Sequence, residues 1–378
     1  MLTPRATVLI VAISVLALAA AACRGGSSGA ETPKVLASPA GIALRISRVV
    51  AADTPAAFAF SPICTGTCTN PNPHGDGRLW YGELLTGRVF SLGKQRWDFA
   101  VSAGGESGLE SIATSPDGQY LVAYVSVPKG DPADAAKDGG EASVSRVVRL
   151  SIDDDGGLGD PIMLLEVPST GIHNAGSVGF GPDGMLYVNI GDNHDFGESQ
   201  SLASLFGKIL RITTDGGPAP GNPFAGRSDA DARVWAYGIR NTFAFDWTAD
   251  GAMLGADDGD TGNDEINRLV AGGNYGWPPI DTGSRAGEIA PVHLFERTIA
   301  PSGLAVIPGG FGDWASGARA LVCGYVSRKM TLVNVDDPGA PTTDVIDGCS
   351  LHVTGYTRGS IFFSNEKGIW HLETAPPK

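Results

Sequence analysis

Short runs of alternating apolar and polar residues recur along this chain behind turns of one kind, and that recurrence constrains the fold more than any other feature. The runs are RLWYGE from Arg78, YLVAYVSV from Tyr120, MLYVNIGD from Met185, AMLGADD from Ala252, RALVCGYV from Arg319 and SIFFSN from Ser360. Each reads as a strand, because a period of two lets one face meet a core and the other meet water. Glycine turns stand ahead of most of them: Asp76-Gly77, Pro116-Asp117-Gly118, Pro182-Asp183-Gly184, Asp250-Gly251 and Arg358-Gly359. A turn-and-strand unit returning at this scale is the mark of a β-propeller. At roughly 50 to 60 residues per blade the chain holds about six. The expected fold is therefore all-β: a six-bladed β-propeller of four-stranded antiparallel blades.

No helical apolar periodicity of useful length follows the leader, and no internal linker marks a second domain. Residues 129–145, KGDPADAAKDGGEASVS, are polar and poor in aromatics, which reads as a solvated insertion between strands, a lid or partner-binding loop being the alternative. The 378 residues include 53 glycines and carry a formal charge of −14. With no Lys/Arg cluster, nucleic acid is excluded as a partner, since phosphate backbones need a basic face.

Residues 1–22 carry Arg5, then an apolar run from Ala6 to Ala22, the pattern of an export signal too short to serve as a good membrane span. Ala20, Ala21, Ala22 and Cys23 resemble a bacterial lipobox, with its usual leucine displaced to Leu18. The expected organisation is a signal peptide at 1–22, a lipid-bearing Cys23 with a flexible linker to residue 37, and a propeller over 38–378. That places the protein on the membrane of the bacterial cell envelope, on the outer face or in the periplasm; ordinary signal cleavage nearby is the alternative. Setting Cys23 aside leaves an even number of the five cysteines in an oxidising compartment. Cys64 with Cys68, and Cys323 with Cys349, are the expected disulfides, a metal site being the alternative.

Four segments resemble, in order and separation, the soluble pyrroloquinoline-quinone (PQQ) sugar dehydrogenases of the glucose/sorbosone dehydrogenase family. They are GIHNAGSVGFGPDGMLYVNIGDN at 171–193, SLFGKILRI at 204–212, AYGIRN at 236–241 and DEINRLVAGGNYGWP at 264–278. The resemblance implies that His173 is the general base that takes the proton while hydride passes from sugar to quinone. It implies that Arg240 and Asn241 contact the quinone, that Glu106 lies near cofactor and sugar, and that the carbonyls of Gly259 and Asp260 bind a bridging calcium ion. Asp192 and Asn193 close the His173 segment, where they orient the imidazole, bind metal or simply form the turn. Departures from the family pattern cluster on the cofactor side. Ile172 and Phe243 stand where members often carry polar groups, Cys349 and Leu351 replace an Arg-x-Arg pair, and Val326 replaces a lysine. Arg328 and Lys329, displaced along the same strand, are the candidate substitutes. Two functions follow from the resemblance: a PQQ- and calcium-dependent oxidoreductase acting on an aldose or related hydroxyl compound, or a binding or scaffold propeller that has lost the cofactor.

Overall fold

The computed structural model describes residues 32–62, 77–129, 143–280 and 283–375. Its strands form six antiparallel sheets, which are the blades of a propeller. In chain order of their innermost strands, blade 1 runs Ala57–Phe60, Leu79–Gly82, Arg88–Ser91, Lys94–Asp98, and blade 2 runs Leu109–Thr114, Tyr120–Pro128, Ser143–Ser151, Ile162–Ser169. Blade 3 is Ala175–Phe180, Leu186–Ile190, Lys208–Ile212, Val234–Tyr237, and blade 4 is Thr242–Trp247, Met253–Asp257, Glu265–Leu269, His293–Leu294. Blade 5 is Pro301–Val306, Arg319–Gly324, Lys329–Asn334, Thr343–Asp347, and blade 6 is Val353–Gly355, Ser360–Asn365, Gly368–Thr374 and Leu44–Ala51.

The six runs singled out from the sequence are the second strands of the six blades, one each. Ahead of them Gly77, Gly118, Gly184, Gly251, Gly317 and Gly359 all hold positive φ, between 67° and 85°, which side chains resist. The ring is closed by the N-terminal strand: Leu44–Ala51 joins Gly368–Thr374, with Arg45 opposite Glu373 and Ile46 opposite Leu372. Closure of this kind leaves no long exposed edge between first and last blade.

Apolar burial is concentrated between blades rather than within them. Cys323, Met330 and Ile346 of blade 5 pack on Phe363 and Leu372 of blade 6, and Tyr124 and Val147 of blade 2 pack on Leu186 and Leu210 of blade 3. Equivalent clusters fill the other seams, the smallest being Phe58, Tyr81 and Ile369 between blades 1 and 6. One strand lies outside the sequence expectation. Lys34–Val35, in the stretch expected as a tether, pairs with Thr343–Asp347 and gives blade 5 a fifth strand. It covers backbone groups that an outer edge would expose.

Every innermost strand runs in the same sense, so the residues just before these strands gather at one end of the central channel. Glu106, His173 and Asn241 precede the inner strands of blades 2, 3 and 4 respectively.

Candidate active site

At that end of the channel His173, Asp192, Arg240, Asn241 and Glu106 form one hydrogen-bonded cluster. His173 Nδ1 lies 2.6 Å from Asp192 Oδ1. Asp192 is fully buried and accepts also from Trp277 Nε1 at 2.6 Å and from the His194 amide at 2.9 Å. Asp192 thus presents an oxygen acceptor to Nδ1, and Arg240 presents an N–H donor to Nε2, which together place the imidazole proton on Nδ1 and the lone pair on Nε2. That lone pair faces Arg240, whose Nη2 is 2.9 Å away.

Arg240 and Asn241 are aimed by the acidic turn of blade 4. Asp257 accepts the Arg240 amide at 3.0 Å and the Asn241 amide at 2.6 Å. The guanidinium Nη1 donates to the Asp258 carbonyl at 2.8 Å and to its carboxylate at 3.3 Å, and the ring of Trp277 lies 5.3 Å from the guanidinium carbon. Asn241 Oδ1 accepts the Ala175 amide at 2.9 Å, while its Nδ2 donates to Glu106 Oε2 at 3.2 Å. Three blades are thereby tied together through one asparagine.

The charges here are perturbed by their enclosure. Burial raises Glu106, against the nearby His173 and the hydrogen bond from Asn241. Burial also raises Asp257, against the amides it accepts, and it raises Asp258 well above the usual carboxylate range, helped by the neighbouring Asp264. Backbone strain accumulates at the same place. His173, Ala175, Asn193 and His194 hold φ of 53°, 55°, 51° and 63°, in the left-handed region that costs non-glycine residues of order 1 kcal/mol or more each. Gly191 is obligatory here, since a Cβ on it would lie 2.0 Å from the His173 carbonyl oxygen.

The structure separates Arg328 and Lys329 from this cluster and leaves Asn193 and Asp260 at its edge. Arg328 makes a two-pronged pair with Glu366, at 2.8 and 2.6 Å, and Lys329 pairs with Asp344 at 2.6 Å. The fork of Arg328 and the ammonium of Lys329 are thus already answered by carboxylates. Asn193 Oδ1 accepts from the amide and hydroxyl of Thr170, so it shapes the turn beside His173. Gly259 donates its amide to Asp264 Oδ1 at 3.0 Å, and Asp260 projects to within 3.6 Å of Arg240. Among the described residues no group of three or more His, Cys, Asp or Glu side chains is arranged to hold a metal ion. Cys323 and Cys349 are bonded, with Cα atoms 5.3 Å apart, and so join blade 5 to blade 6. Cys23, Cys64 and Cys68 lie outside the described residues.

Three contributors were not assigned their parts from sequence. Trp277 was legible as an aromatic anchor, but not as the donor to Asp192. Asp264, fully buried, accepts the amides of Gly259, Ile299 and Ala300 and braces the turn below Arg240. Lys208, also fully buried, donates to the carbonyls of Glu198, Ser199 and Phe206 at 2.6 to 3.0 Å and pins the loop that carries Phe196. A lysine within a strand ordinarily reads as surface, so nothing local announces this one.

Fold and site together define a six-bladed propeller with an oriented histidine and an arginine beside it at one mouth. The family described as Glucose / Sorbosone dehydrogenase matches residues 86–346, and the chain belongs to that family. Aldose sugar dehydrogenase YliI of Escherichia coli (strain K12) is 31% identical over 254 residues, 62% of this chain and 66% of that protein. Quinoprotein glucose dehydrogenase B of Acinetobacter calcoaceticus is 30% identical over 242 residues, 54% of this chain and 48% of that protein. The chain thus spans about half to two thirds of the length of these relatives, and less of others. Among solved structures, the PQQ-bound form of an aldose sugar dehydrogenase from Streptomyces coelicolor superimposes with a TM-score of 0.69 at 26% identity, covering 89% of this chain and 100% of that one.

The tricarboxylate quinone implied by the family does not fit the residues present. Arg240 Nε is buried without a partner, which leaves one donor for an anion. The rest of that guanidinium is engaged with His173 and Asp258, and Glu106, Asp258 and Asp260 line the same mouth. At the far wall Cys349 and Leu351 are buried and uncharged, and Arg328 is held by Glu366. Desolvating three carboxylates beside these groups is unfavourable by several kcal/mol per unpaired charge.

Proposed function

We propose that this chain is an exported, lipid-anchored oxidoreductase of the sugar-dehydrogenase type, which removes a proton from a hydroxyl of an aldose or related compound through His173. The observation that carries the reading is the Asp192–His173–Arg240 line, with contacts of 2.6 and 2.9 Å. Asp192 holds the imidazole in the tautomer whose Nε2 is basic. Arg240 Nη2 occupies the lone pair on that nitrogen, so a hydroxyl reaches Nε2 by taking the guanidinium's place, and the guanidinium moved beside it then offsets the negative charge that develops on the oxygen as the proton leaves. Trp277 and Phe196, with ring centroids 5.5 Å apart, wall the approach.

The chain supplies the proton half of the oxidation. The hydride half requires an acceptor that carries less negative charge than a tricarboxylate quinone, or one that brings a cation with it; calcium at the acidic rim of Asp258 and Asp260 is the cation to test. A second reading, a sugar-binding propeller without turnover, is favoured by one observation: the uncharged Cys349 and Leu351 wall with Arg328 already paired. Aldose-dependent dye reduction by the mature chain, with calcium and with or without PQQ, tests both. Turnover that falls at least ~100-fold in His173→Gln supports the enzyme. Sugar binding without turnover under every condition supports the binder. Release of the chain from membranes by Cys23→Ser tests the anchor.

A further inference from the structure

At the end opposite His173 the central channel widens into a cavity of about 450 Å³. Its walls are the later halves of the inner strands, including residues 111–114 of blade 2, 177–180 of blade 3 and 244–247 of blade 4. A strand advances ~3.3 Å per residue, so Trp247 lies about 20 Å along the chain direction from Asn241. On blade 6 the lining starts at His352, just ahead of the inner strand Val353–Gly355, so the cavity reaches from mid-channel to that end.

Around most of this cavity, side chains sew each inner strand to the next. Thr114 Oγ1 donates to the Phe60 carbonyl at 2.7 Å, Ser111 Oγ accepts the Val178 amide at 3.3 Å, and the Ser177 hydroxyl donates to the Phe243 carbonyl. Asp246 accepts the Val306 amide of the next blade at 2.8 Å and the Trp247 amide at 2.8 Å. Each of its oxygens therefore keeps further acceptor capacity. Between blades 6 and 1 the walls are aromatic instead. The edge of His352 meets Phe58 with centroids 4.7 Å apart, and Tyr356 stacks on Phe60 at 4.1 Å. Among the described residues the His352 ring makes no hydrogen bond. Burial lowers its pKa to about 4, so the ring is neutral and offers one donor and one acceptor.

The chemistry of the lining selects among ligand classes. No lysine or arginine lines the cavity and Asp246 is its single carboxylate, which disfavours anions and gives a metal ion too few ligands. A flat aromatic guest would match the rings and His352 but strip water from Asp246 and the wall hydroxyls without replacing it. A pyranose matches both kinds of surface, with a C–H face for the rings and a rim of hydroxyls for the polar groups. We propose that this end of the channel is a second binding site, for a neutral mono- or disaccharide, with Trp247 and the Phe60–Tyr356 pair as stacking surfaces and His352 and Asp246 as polar anchors.

The test is fluorine NMR of the mature chain labelled with 5-fluorotryptophan, in which Trp247→Phe and Trp277→Phe assign one reporter at each end of the channel. Millimolar D-glucose or maltose is expected to shift the Trp247 resonance saturably. His352→Phe keeps the edge on Phe58 but removes both nitrogens, and is expected to weaken that titration at least tenfold. His352→Gln keeps a donor and an acceptor and is expected to retain binding, which separates loss of the nitrogens from loss of the fold. Trp277 reports the His173 mouth independently, so failure of the proposed oxidoreductase function leaves the Trp247 result standing. A Trp247 resonance unmoved by either sugar, moved by indole alone, or titrating equally well in His352→Phe overturns the site.

Discussion

Replacing Glu110 by Gln should stabilise this protein at alkaline pH and leave it almost unchanged at acid pH. Glu110 stands on the inner strand Leu109–Thr114, directly below the candidate site. Its Oε1 accepts from Ser126 Oγ at 2.5 Å and from the Gly108 amide at 3.2 Å, but its Oε2 is buried without a partner. Burial pushes the carboxyl up to about 8 from 4.5. An acid whose folded pKa exceeds its unfolded one binds more protons when folded between the two values. Its contribution is therefore intact below pH 4.5 and is lost progressively as the pH rises to 8. Integrated from pH 5 to pH 9, a shift of this size is worth about 4 kcal/mol at most, and relaxation around Oε2 reduces it, so about 2 to 4 kcal/mol is expected. Glutamine has the same shape and no charge, so it removes this term. Glu265, raised to about 8 by burial and by Asp257, retains a slope of the same sign in the variant. The measurement is urea unfolding of both proteins in steps from pH 5 to pH 9. A stability difference between them that does not change with pH would refute the assignment of Glu110 as a buried neutral acid.

Other outcomes follow from the same geometry. The Cys323→Ser, Cys349→Ser double variant opens a loop of sequence separation 26 and should lose about 3.5 kcal/mol, read as a lower unfolding midpoint under non-reducing conditions. Lys208→Met leaves the carbonyls of Glu198, Ser199 and Phe206 without their donor; about 2 to 3 kcal/mol of stability should be lost, with faster proteolysis within residues 196–207. Asp192→Asn places an amide against His173 Nδ1 or Trp277 Nε1, so any aldose oxidation should fall at least ~100-fold in kcat with little change in KM, checked by dye reduction. PQQ should quench the fluorescence of the unaltered protein weakly even with calcium, and Leu351→Arg should strengthen that titration at least ~10-fold, since one paired cation is worth about 1.4 kcal/mol or more here.

The blades were legible from sequence because the second strand of each is a short apolar run behind a turn that only glycine fits comfortably; the structure buries these strands almost completely, so neither face meets water as the alternation implied. Inner strands such as Ala175–Phe180 and Leu109–Thr114 were harder to read, since they line the channel, are only partly buried and mix glycine, serine, threonine and glutamate with their apolar residues. Lys34–Val35 was illegible, as two residues carry no periodicity and the strand exists only because an outer edge accepts it. The site divides in the same way. Asn241 and Glu106 are 135 positions apart and touch because the ring brings the starts of its inner strands together; composition and spacing alone do not say so, and only the family resemblance named them.

Arg328 and Lys329 show why such carry-over stops where the chain departs from the pattern. Val326 and Arg328 stand not on a strand but in the turn between Arg319–Gly324 and Lys329–Asn334, and each displaced cation takes the carboxylate it meets there: Glu366 for Arg328 and Asp344 for Lys329. The charge lost at Val326, Cys349 and Leu351 is thus not restored two positions away. On the opposite wall the acids around Arg240 remain, with Asp257 and Asp258 kept toward neutrality by burial. A mouth that retains its oriented histidine but not its far cations is suited to hold a neutral hydroxyl compound beside His173. On the proposed function, an electron acceptor there would either carry little charge or bring a cation of its own, because the guanidinium of Arg240 already answers His173 and Asp258.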